Sequence, residues 1–214
     1  MKHVKWMAAG ALALALGHGS IAKADYIPYP TPGIENPITY TFTAVSTGTV
    51  TAYFVAGAGA GFTNELGMSV NGGPVTSFGL NNHTSAYGDS FVLGPVNAGD
   101  TLTFVMHNLV PGIGNVYSDP TLNGPYDNEP VGHNHVYSTV FLTDGIIPTG
   151  TFVSFEDLPP VNPYFTEDWN YNDEDFVFTN VAATPAVPVP AALWGGIVLL
   201  GGMISTRQLR RRAV

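Results

Sequence analysis

The chain of 214 residues contains no cysteine. Disulfides, thiol nucleophiles and Cys-ligated zinc are therefore excluded. Basic residues are absent from most of the chain as well. Residues 25–186 contain all 16 Asp and Glu but no Lys or Arg, so this part has a formal charge of −16 with His neutral. The basic residues lie only at the two ends: Lys2, Lys5, Lys23, Arg207, Arg210, Arg211 and Arg212.

This charge distribution excludes one class of partner and indicates another. A surface of this charge repels phosphate, which argues against nucleic-acid binding. Its carboxylates have no Lys or Arg to pair with, so they must be solvated, protonated or neutralised by cations. A divalent ion is therefore the natural counter-charge. About 160 residues is the size of one domain with a substantial core.

The first 24 residues have the pattern of a secretory signal peptide. The pattern consists of a charged start, an apolar stretch over residues 7–16 and small residues at Ala22 and Ala24. Signal peptidase is expected to cut after such a small-x-small motif. Cleavage before Asp25 would leave the body of the chain, residues 25–186, outside the cytoplasm.

The C-terminal residues have the pattern of a single transmembrane helix. Residues 191–206 carry no charge and as a helix would span about 24 Å, slightly less than the ~30 Å hydrocarbon core. Pro188 and Pro190 place the helix start after residue 190, and Trp194 would lie near the outer interface. Residues 207–214 then form a basic cytoplasmic tail, and 181–190 a Pro-rich linker. A buried core helix of a soluble protein is the alternative.

The order of Pro motif, apolar helix and basic end resembles the PEP-CTERM sorting signal of Gram-negative bacteria, which an exosortase-type enzyme recognises. The glutamate of the name-giving motif is replaced here by Val189. The resemblance implies a protein held in the inner membrane with its body in the periplasm, then processed and released to the cell surface or the extracellular polysaccharide. The matching residues are Val187, Pro188, Val189, Pro190, Trp194, Arg207, Arg210, Arg211 and Arg212.

Between these ends, residues 25–180 are predicted to form an all-β domain. Short runs rich in Thr, Val, Phe and Tyr, several with alternating polarity, are separated by Gly, Pro, Asn and Asp turn signals. This spacing predicts an antiparallel β-sandwich that is jelly-roll-like. Residues 57–61 are expected to form a flexible Gly-rich loop, and 108–134 a long polar loop. The predicted strands are Thr39–Ala44, Thr49–Ala56, Leu66–Val70, Ser90–Leu93, Thr101–Asn108, His135–Thr143, Thr151–Phe155 and Phe176–Asn180.

An acidic cluster near the end of the domain predicts a structural calcium site. Ca²⁺ binds six to eight oxygens of carboxylates, amides and carbonyls, and alternation in an extended chain can put several of them on one face. The spacing is not that of an EF-hand. A solvated acidic loop with Asx-turns is the alternative. The predicted ligands are Glu156, Asp157, Asp168, Asn170, Asn172, Asp173 and Asp175.

Residues 152–181 also resemble an uncharacterised family known as domain of unknown function 4114. The resemblance is carried by the Phe-Glu-Asp-Leu segment at residues 155–158 and the acidic Tyr-Asn-Asp box that begins at Tyr171. Such domains occur in large secreted bacterial proteins. The resemblance implies an exported protein and no particular activity.

Two further candidate sites have less support from the sequence pattern. His133 and His135 at alternate positions, with His107 and Asp127 or Glu129, form a zinc candidate. Four aromatic residues of the acidic loop could stack on sugar rings if they are exposed, whereas if they are buried they belong to the core and to a lid over the metal site: Tyr164, Phe165, Trp169 and Tyr171. The sequence therefore predicts a non-enzymatic exported surface or matrix protein with bound calcium. The alternatives are a carbohydrate-binding module and a secreted glycan hydrolase.

Overall fold

A computed structural model describes residues 27–57, 59–159 and 168–186. Within these ranges the chain folds into eleven strands, one turn of 3-10 helix at Pro120–Leu122 and one turn of α-helix, α1, at Gly124–Asp127. The predicted signal peptide with its cleavage site at Asp25 lies outside the described residues. So do the predicted sorting motif, transmembrane helix and basic tail. The strands are β1 Thr39–Ala44, β2 Gly48–Ala56, β3 Asn64–Val70, β4 Phe78–Asn81, β5 Ser90–Val96, β6 Thr101–Asn108, β7 Val116–Tyr117, β8 Val136–Phe141, β9 Gly150–Phe155, β10 Glu174–Thr179 and β11 Val181–Ala186.

The strands form two antiparallel sheets, which confirms the predicted all-β sandwich. One sheet has the order β11-β1-β6-β3-β4, with β7 paired beside Val105 and Met106 of β6, and the other has the order β5-β2-β10-β9-β8. The jelly-roll-like connectivity stays a prediction. Among the described residues, no helix is long and apolar enough to cross a membrane.

The last strand corrects the predicted domain boundary. Residues 181–186 were expected to belong to the linker, but they pair with β1 along its whole length, from Val181 opposite Ala44 to Ala186 opposite Thr39. β11 consists mostly of small Ala and Thr residues and has no alternation of apolar and polar side chains. The sequence pattern therefore does not predict a strand here. Pro185 is compatible with a strand here because β11 is an edge strand.

The region expected to be a long polar loop is partly structured. Residues 108–134 contain β7, the 3-10 turn and α1. The buried Asn123 side chain connects the segment, because it accepts a hydrogen bond from Tyr117 N and donates to the carbonyls of Tyr117 and His133. The loop therefore packs as part of the domain.

The main core lies between the two sheets. Phe42 and Phe104 of one sheet and Phe176 and Phe178 of the other are all buried there, and Phe104 stacks on Phe178 with ring centroids 3.9 Å apart. A second, smaller cluster covers the outer face of the five-stranded sheet. Because both faces of β9 and β10 are covered, these strands are buried almost continuously. The acidic residues of the candidate site lie at the end of this strand pair where β9 ends and β10 begins.

Candidate metal centre

The candidate metal centre lies where β9 ends and β10 begins. Glu156 and Asp157 directly follow β9, and Asp173 directly precedes β10. The two strands are antiparallel neighbours with Phe155 opposite Glu174, which brings these acids to the same end of the sheet. The backbone N–H of Asp173 donates to the carbonyl of Phe155, with 3.1 Å between N and O. The ladder of the sheet therefore fixes where these carboxylates lie.

The three carboxylates meet in a buried group. One oxygen each from Glu156, Asp157 and Asp173 lies within 4.8 Å of the others, and no side chain of the three is more than 4% exposed. Oxygens bound to one Ca²⁺ at 2.3–2.6 Å lie at most about 5 Å apart. Three buried acids at this spacing can hold a metal ion.

The electrostatics show how costly this arrangement is without a cation. Burial and the nearby charges of Glu156 and Asp157 raise the pKa of Asp173 to about 10. Burial, together with neighbouring acids led by Asp157, also raises the pKa of Glu174 well above its usual value. All Lys and Arg residues of the chain lie outside the described ranges. These acids must therefore hold protons or share a bound cation.

Buried oxygens without a hydrogen-bond partner mark the same end of the sandwich. Both carboxylate oxygens of Glu174 are of this kind, as are Asn64 Oδ1 and Asn172 Oδ1. Orphaned buried acceptors are rare because each costs free energy, and an absent ion or water is one common reason for them. Glu174 and Asn64 are not among the ligands predicted from the sequence. Both are fully or almost fully buried, and the strand patterns carry no signal for this.

Asp157 connects the centre to the Gly-rich loop at residues 57–63. Its two carboxylate oxygens accept hydrogen bonds from the backbone N–H of Gly61 at 3.0 Å, from the backbone N–H of Phe62 at 2.9 Å and from Asn64 Nδ2 at 2.9 Å. Three donors on one carboxylate hold it in a fixed position. The loop expected to be merely flexible is therefore tied to the acidic centre.

Gly59 lies where this loop passes close to Asn172. A Cβ at Gly59 would lie 2.4 Å from Asn172 Oδ1 and 3.2 Å from the Asn172 backbone carbonyl oxygen. We expect Gly59→Ala to push the loop off Asn172 and to lower stability by about 1–3 kcal/mol, as overpacking does elsewhere. Urea unfolding would measure this. Gly114→Ala is the control, because its Cβ would meet its nearest atom at 3.4 Å; equal costs for both variants would contradict the close packing.

Three of the predicted ligands lie apart from the group of three acids. Asp168 and Asn170 form Asx-turns: Asp168 accepts from the Asn170 backbone N–H at 3.2 Å, and Asn170 Oδ1 accepts from the Asn172 backbone N–H at 3.0 Å. The Asx-turn alternative therefore describes this segment. The buried Asp175 lies beside Ser154, whose hydroxyl also contacts the carbonyl of Tyr171. Burial raises the pKa of Asp175 well above its usual value, so a protonated Asp175 donating to Ser154 Oγ satisfies this contact.

The histidines of the candidate zinc set lie apart and make other contacts. His135 is fully buried, with Nε2 2.8 Å from Asp127 Oδ1 and Nδ1 3.0 Å from the Glu156 carbonyl oxygen. His107 instead lies on β6, where it contacts Asn115 at 2.8 Å. The Glu156 carbonyl oxygen can only accept, so the ring donates from Nδ1. This buried pair supports the chain segment beneath the metal centre.

His133 is the partly exposed partner of two acids. Its Nδ1 lies 2.9 Å from Glu35 Oε2 and its Nε2 lies 3.4 Å from Glu129 Oε2. Burial on its own lowers the pKa of His133, but the hydrogen bond to Glu35 and the neighbouring acidic charges outweigh it and raise the pKa above 6.5. His133 therefore binds protons more tightly in the folded than in the unfolded chain.

This raised pKa predicts a pH-dependent contribution to stability. The contribution is fully present below the unfolded pKa of 6.5 and is lost as the pH rises through the folded value. We expect His133→Gln to destabilise more at about pH 5.5 than at about pH 8.5, by up to ~1 kcal/mol for such a solvent-screened pair. Urea unfolding at the two pH values measures this. A difference of the opposite sign would contradict the assignment.

The aromatic residues proposed for sugar stacking are not all available. Tyr171 is fully buried, donating its hydroxyl to the Asn134 carbonyl at 2.7 Å. Trp169 is partly buried and its ring packs near His133, His135 and Tyr171. The other two aromatic residues, Tyr164 and Phe165, lie outside the described ranges. The described part of the loop therefore offers no flat exposed platform.

Comparisons with known proteins add no relative: no family model matches the chain, and no curated protein or solved structure matches it significantly.

Proposed function

We propose that this domain binds Ca²⁺ as a structural ion at Glu156, Asp157 and Asp173. The observation that carries the proposal is the meeting of three buried carboxylates within 4.8 Å of one another, in a described region without Lys or Arg. A bound divalent ion would neutralise these acids. It would also let Asp173 stay ionised in a place where burial and the neighbouring acids raise its pKa.

The chemistry of the donors favours calcium over other metals. The group of three acids offers oxygen ligands only, which suit Ca²⁺ and Mg²⁺ rather than zinc or copper. Asn64 Oδ1 and the carboxylate of Glu174 supply further buried oxygens close to Asp157 in the fold. Calcium accepts such a crowded and irregular set, whereas Mg²⁺ prefers octahedral geometry and keeps several waters.

Isothermal titration of residues 25–186 with Ca²⁺ and with Mg²⁺ tests this proposal. We expect one binding event for Ca²⁺ with a dissociation constant of about 10⁻⁴–10⁻³ M, the range of extracellular modules, and weaker binding of Mg²⁺. Asp173→Asn should abolish the binding. Asp168→Asn is the matched control because Asp168 is exposed and outside the group of three acids. Absence of any calcium binding, or equal losses in the two variants, would refute the site.

For the whole chain we propose a non-enzymatic exported protein of the cell surface or extracellular matrix. The support is the sequence at both ends: the signal-peptide pattern, and the Pro motif, apolar stretch and Arg-rich end that resemble an exosortase sorting signal. Release from the membrane of a Gram-negative host with an exosortase should fail when Pro188 and Pro190 are both changed to Ala. Unchanged release of that variant would argue against processing at this motif.

A further inference from the structure

Two backbone carbonyls at the candidate metal centre accept hydrogen bonds from one other part of the chain, residues 118–135. Tyr126 donates its hydroxyl to the carbonyl of Asp157. His135 donates from Nδ1 to the carbonyl of Glu156 at 3.0 Å, and the Glu156 backbone N–H donates back to the His135 carbonyl at 3.0 Å. Both acids that follow β9 are therefore bonded through main-chain atoms to this 118–135 segment.

Hydrogen bonds and close packing connect the 118–135 segment internally. Asp127, at the end of α1, has Oδ1 2.8 Å from His135 Nε2, and its Oδ2 accepts from the His133 backbone N–H at 2.7 Å. A Cβ at Gly132 would clash with the carbonyl oxygen of Pro120, so the two ends of the segment are in direct contact. A displacement at the metal centre is therefore passed to the whole segment.

The 118–135 segment has little stability of its own. Its regular structure consists of one turn of 3-10 helix and the single turn of α1, and helices this short are unstable in isolation. More than half of residues 120–132 are exposed. Segments with few buried contacts open locally at a low free energy. The order of this segment therefore depends on the contacts that bind it to the metal centre and to the rest of the domain.

The same segment lines a surface groove of about 400 Å³. Residues 35–37 and Thr39 supply the rest of the lining. Local opening of the segment would remove much of this lining, so the shape of the groove depends on the order of the segment. The segment contributes Pro120, Thr121, Val131, Gly132 and Asn134.

We propose that calcium at the three acids of the metal centre regulates the order of the 118–135 segment and, with it, the shape of the groove. This inference rests on the proposed function, because it needs an ion at those acids. A bound ion fixes the backbone of Glu156 and Asp157, so docking of the segment no longer bears the cost of ordering that backbone. Tyr126 and His135 are the positioning residues of this link. By linkage, docking raises the calcium affinity by the same factor by which calcium favours docking.

Hydrogen exchange of the full chain, purified in detergent and measured in calcium and in EDTA, tests the inference. The backbone amides of Asp127 and Glu129 report on the segment, because each donates to a carbonyl within it. We expect their exchange to slow by at least about threefold in calcium at a hundred times its dissociation constant, where full coupling would give about a hundredfold. Exchange in the turn at residues 97–100, beside the other end of β2 from the metal centre, should change little.

Calcium titration of the same preparation separates the two ways in which this result could fail. Equal exchange of the Asp127 and Glu129 amides in calcium and in EDTA, in protein that binds calcium, would overturn the inference and leave the calcium site standing. Absence of calcium binding in the titration would overturn both.

Tyr126→Phe separates the link from a merely structural role. The variant removes the donor to the Asp157 carbonyl, and we expect it to bind calcium but to show a ratio of exchange rates in EDTA and calcium that is lower by about three- to tenfold, the effect of one hydrogen bond. A structural role would speed exchange equally in both conditions and leave this ratio unchanged.

Tyr117→Phe, in the neighbouring β7, is the matched control. Among the described residues, Tyr117 forms hydrogen bonds only through its backbone, so this variant should keep the wild-type ratio. An unchanged ratio in Tyr126→Phe, or an equal fall in Tyr117→Phe, would overturn the role of the Tyr126 hydroxyl in the link.

Discussion

Calcium at a hundred times its dissociation constant is expected to stabilise residues 25–186 by about 2.7 kcal/mol. For a domain of this size, that raises the midpoint of thermal unfolding by about 5–10 °C. The physical reason is that the ion binds carboxylates gathered only in the folded chain: Glu156, Asp157 and Asp173. Differential scanning calorimetry in calcium and in EDTA measures the shift.

Two single variants should differ in their response to calcium. Asp173→Asn removes one charge from the buried group and should abolish the response to calcium. It should also cost little stability in EDTA, because the raised pKa of Asp173 means that the metal-free protein already holds it neutral. Asp168→Asn should respond like the wild type. Equal melting curves of the wild type in calcium and in EDTA would contradict a structural calcium site at these three acids.

Asp127→Ala is expected to lower the free energy of unfolding by about 3–5 kcal/mol, the usual cost of leaving one member of a buried pair alone. Asp127 and His135 are both fully buried with 2.8 Å between Oδ1 and Nε2. The second oxygen of Asp127 also accepts from the His133 backbone N–H at 2.7 Å. The substitution therefore removes the acceptors of two donors at once, and urea unfolding in EDTA measures the loss.

Glu129→Ala provides the comparison for this loss. Its carboxylate also faces a histidine, but the side chain is 42% exposed and lies 3.4 Å from His133 Nε2. An exposed pair of this kind contributes at most about 1 kcal/mol. A cost for Asp127→Ala no larger than that for Glu129→Ala would show that the buried pair does not hold the 108–134 segment in place.

The sequence predicts the strands well where one face is buried and the other is not. In β1 and β6, alternating residues such as Phe42, Leu102 and Phe104 face the core. The sequence shows this as an alternation of apolar and polar side chains. The signal fails in β11, whose small residues look alike on both faces, and in β7, which has only two residues. Such strands form because a neighbour offers an edge, and no local pattern encodes that.

In the candidate site too, the sequence predicts some of the buried acids and not others. Glu156, Asp157 and Asp173 lie next to strand ends, so a prediction of convergence there needs only the pairing of β9 with β10. The face of each further acid depends on details of the fold. Asp175 lies beside Ser154, whereas Glu174, the residue before it, is fully buried with two carboxylate oxygens that lack a hydrogen-bond partner. No pattern in the sequence distinguishes these two environments.

A crystal structure grown in calcium, with anomalous diffraction measured to locate the ion, tests the central claim most directly. The account predicts one calcium peak with oxygens of Glu156, Asp157 and Asp173 at 2.3–2.6 Å. It also predicts that the loop at Gly61 and Phe62 stays bonded to the Asp157 carboxylate, as it is here. A well-ordered structure at millimolar calcium with no peak among these three acids would contradict the account.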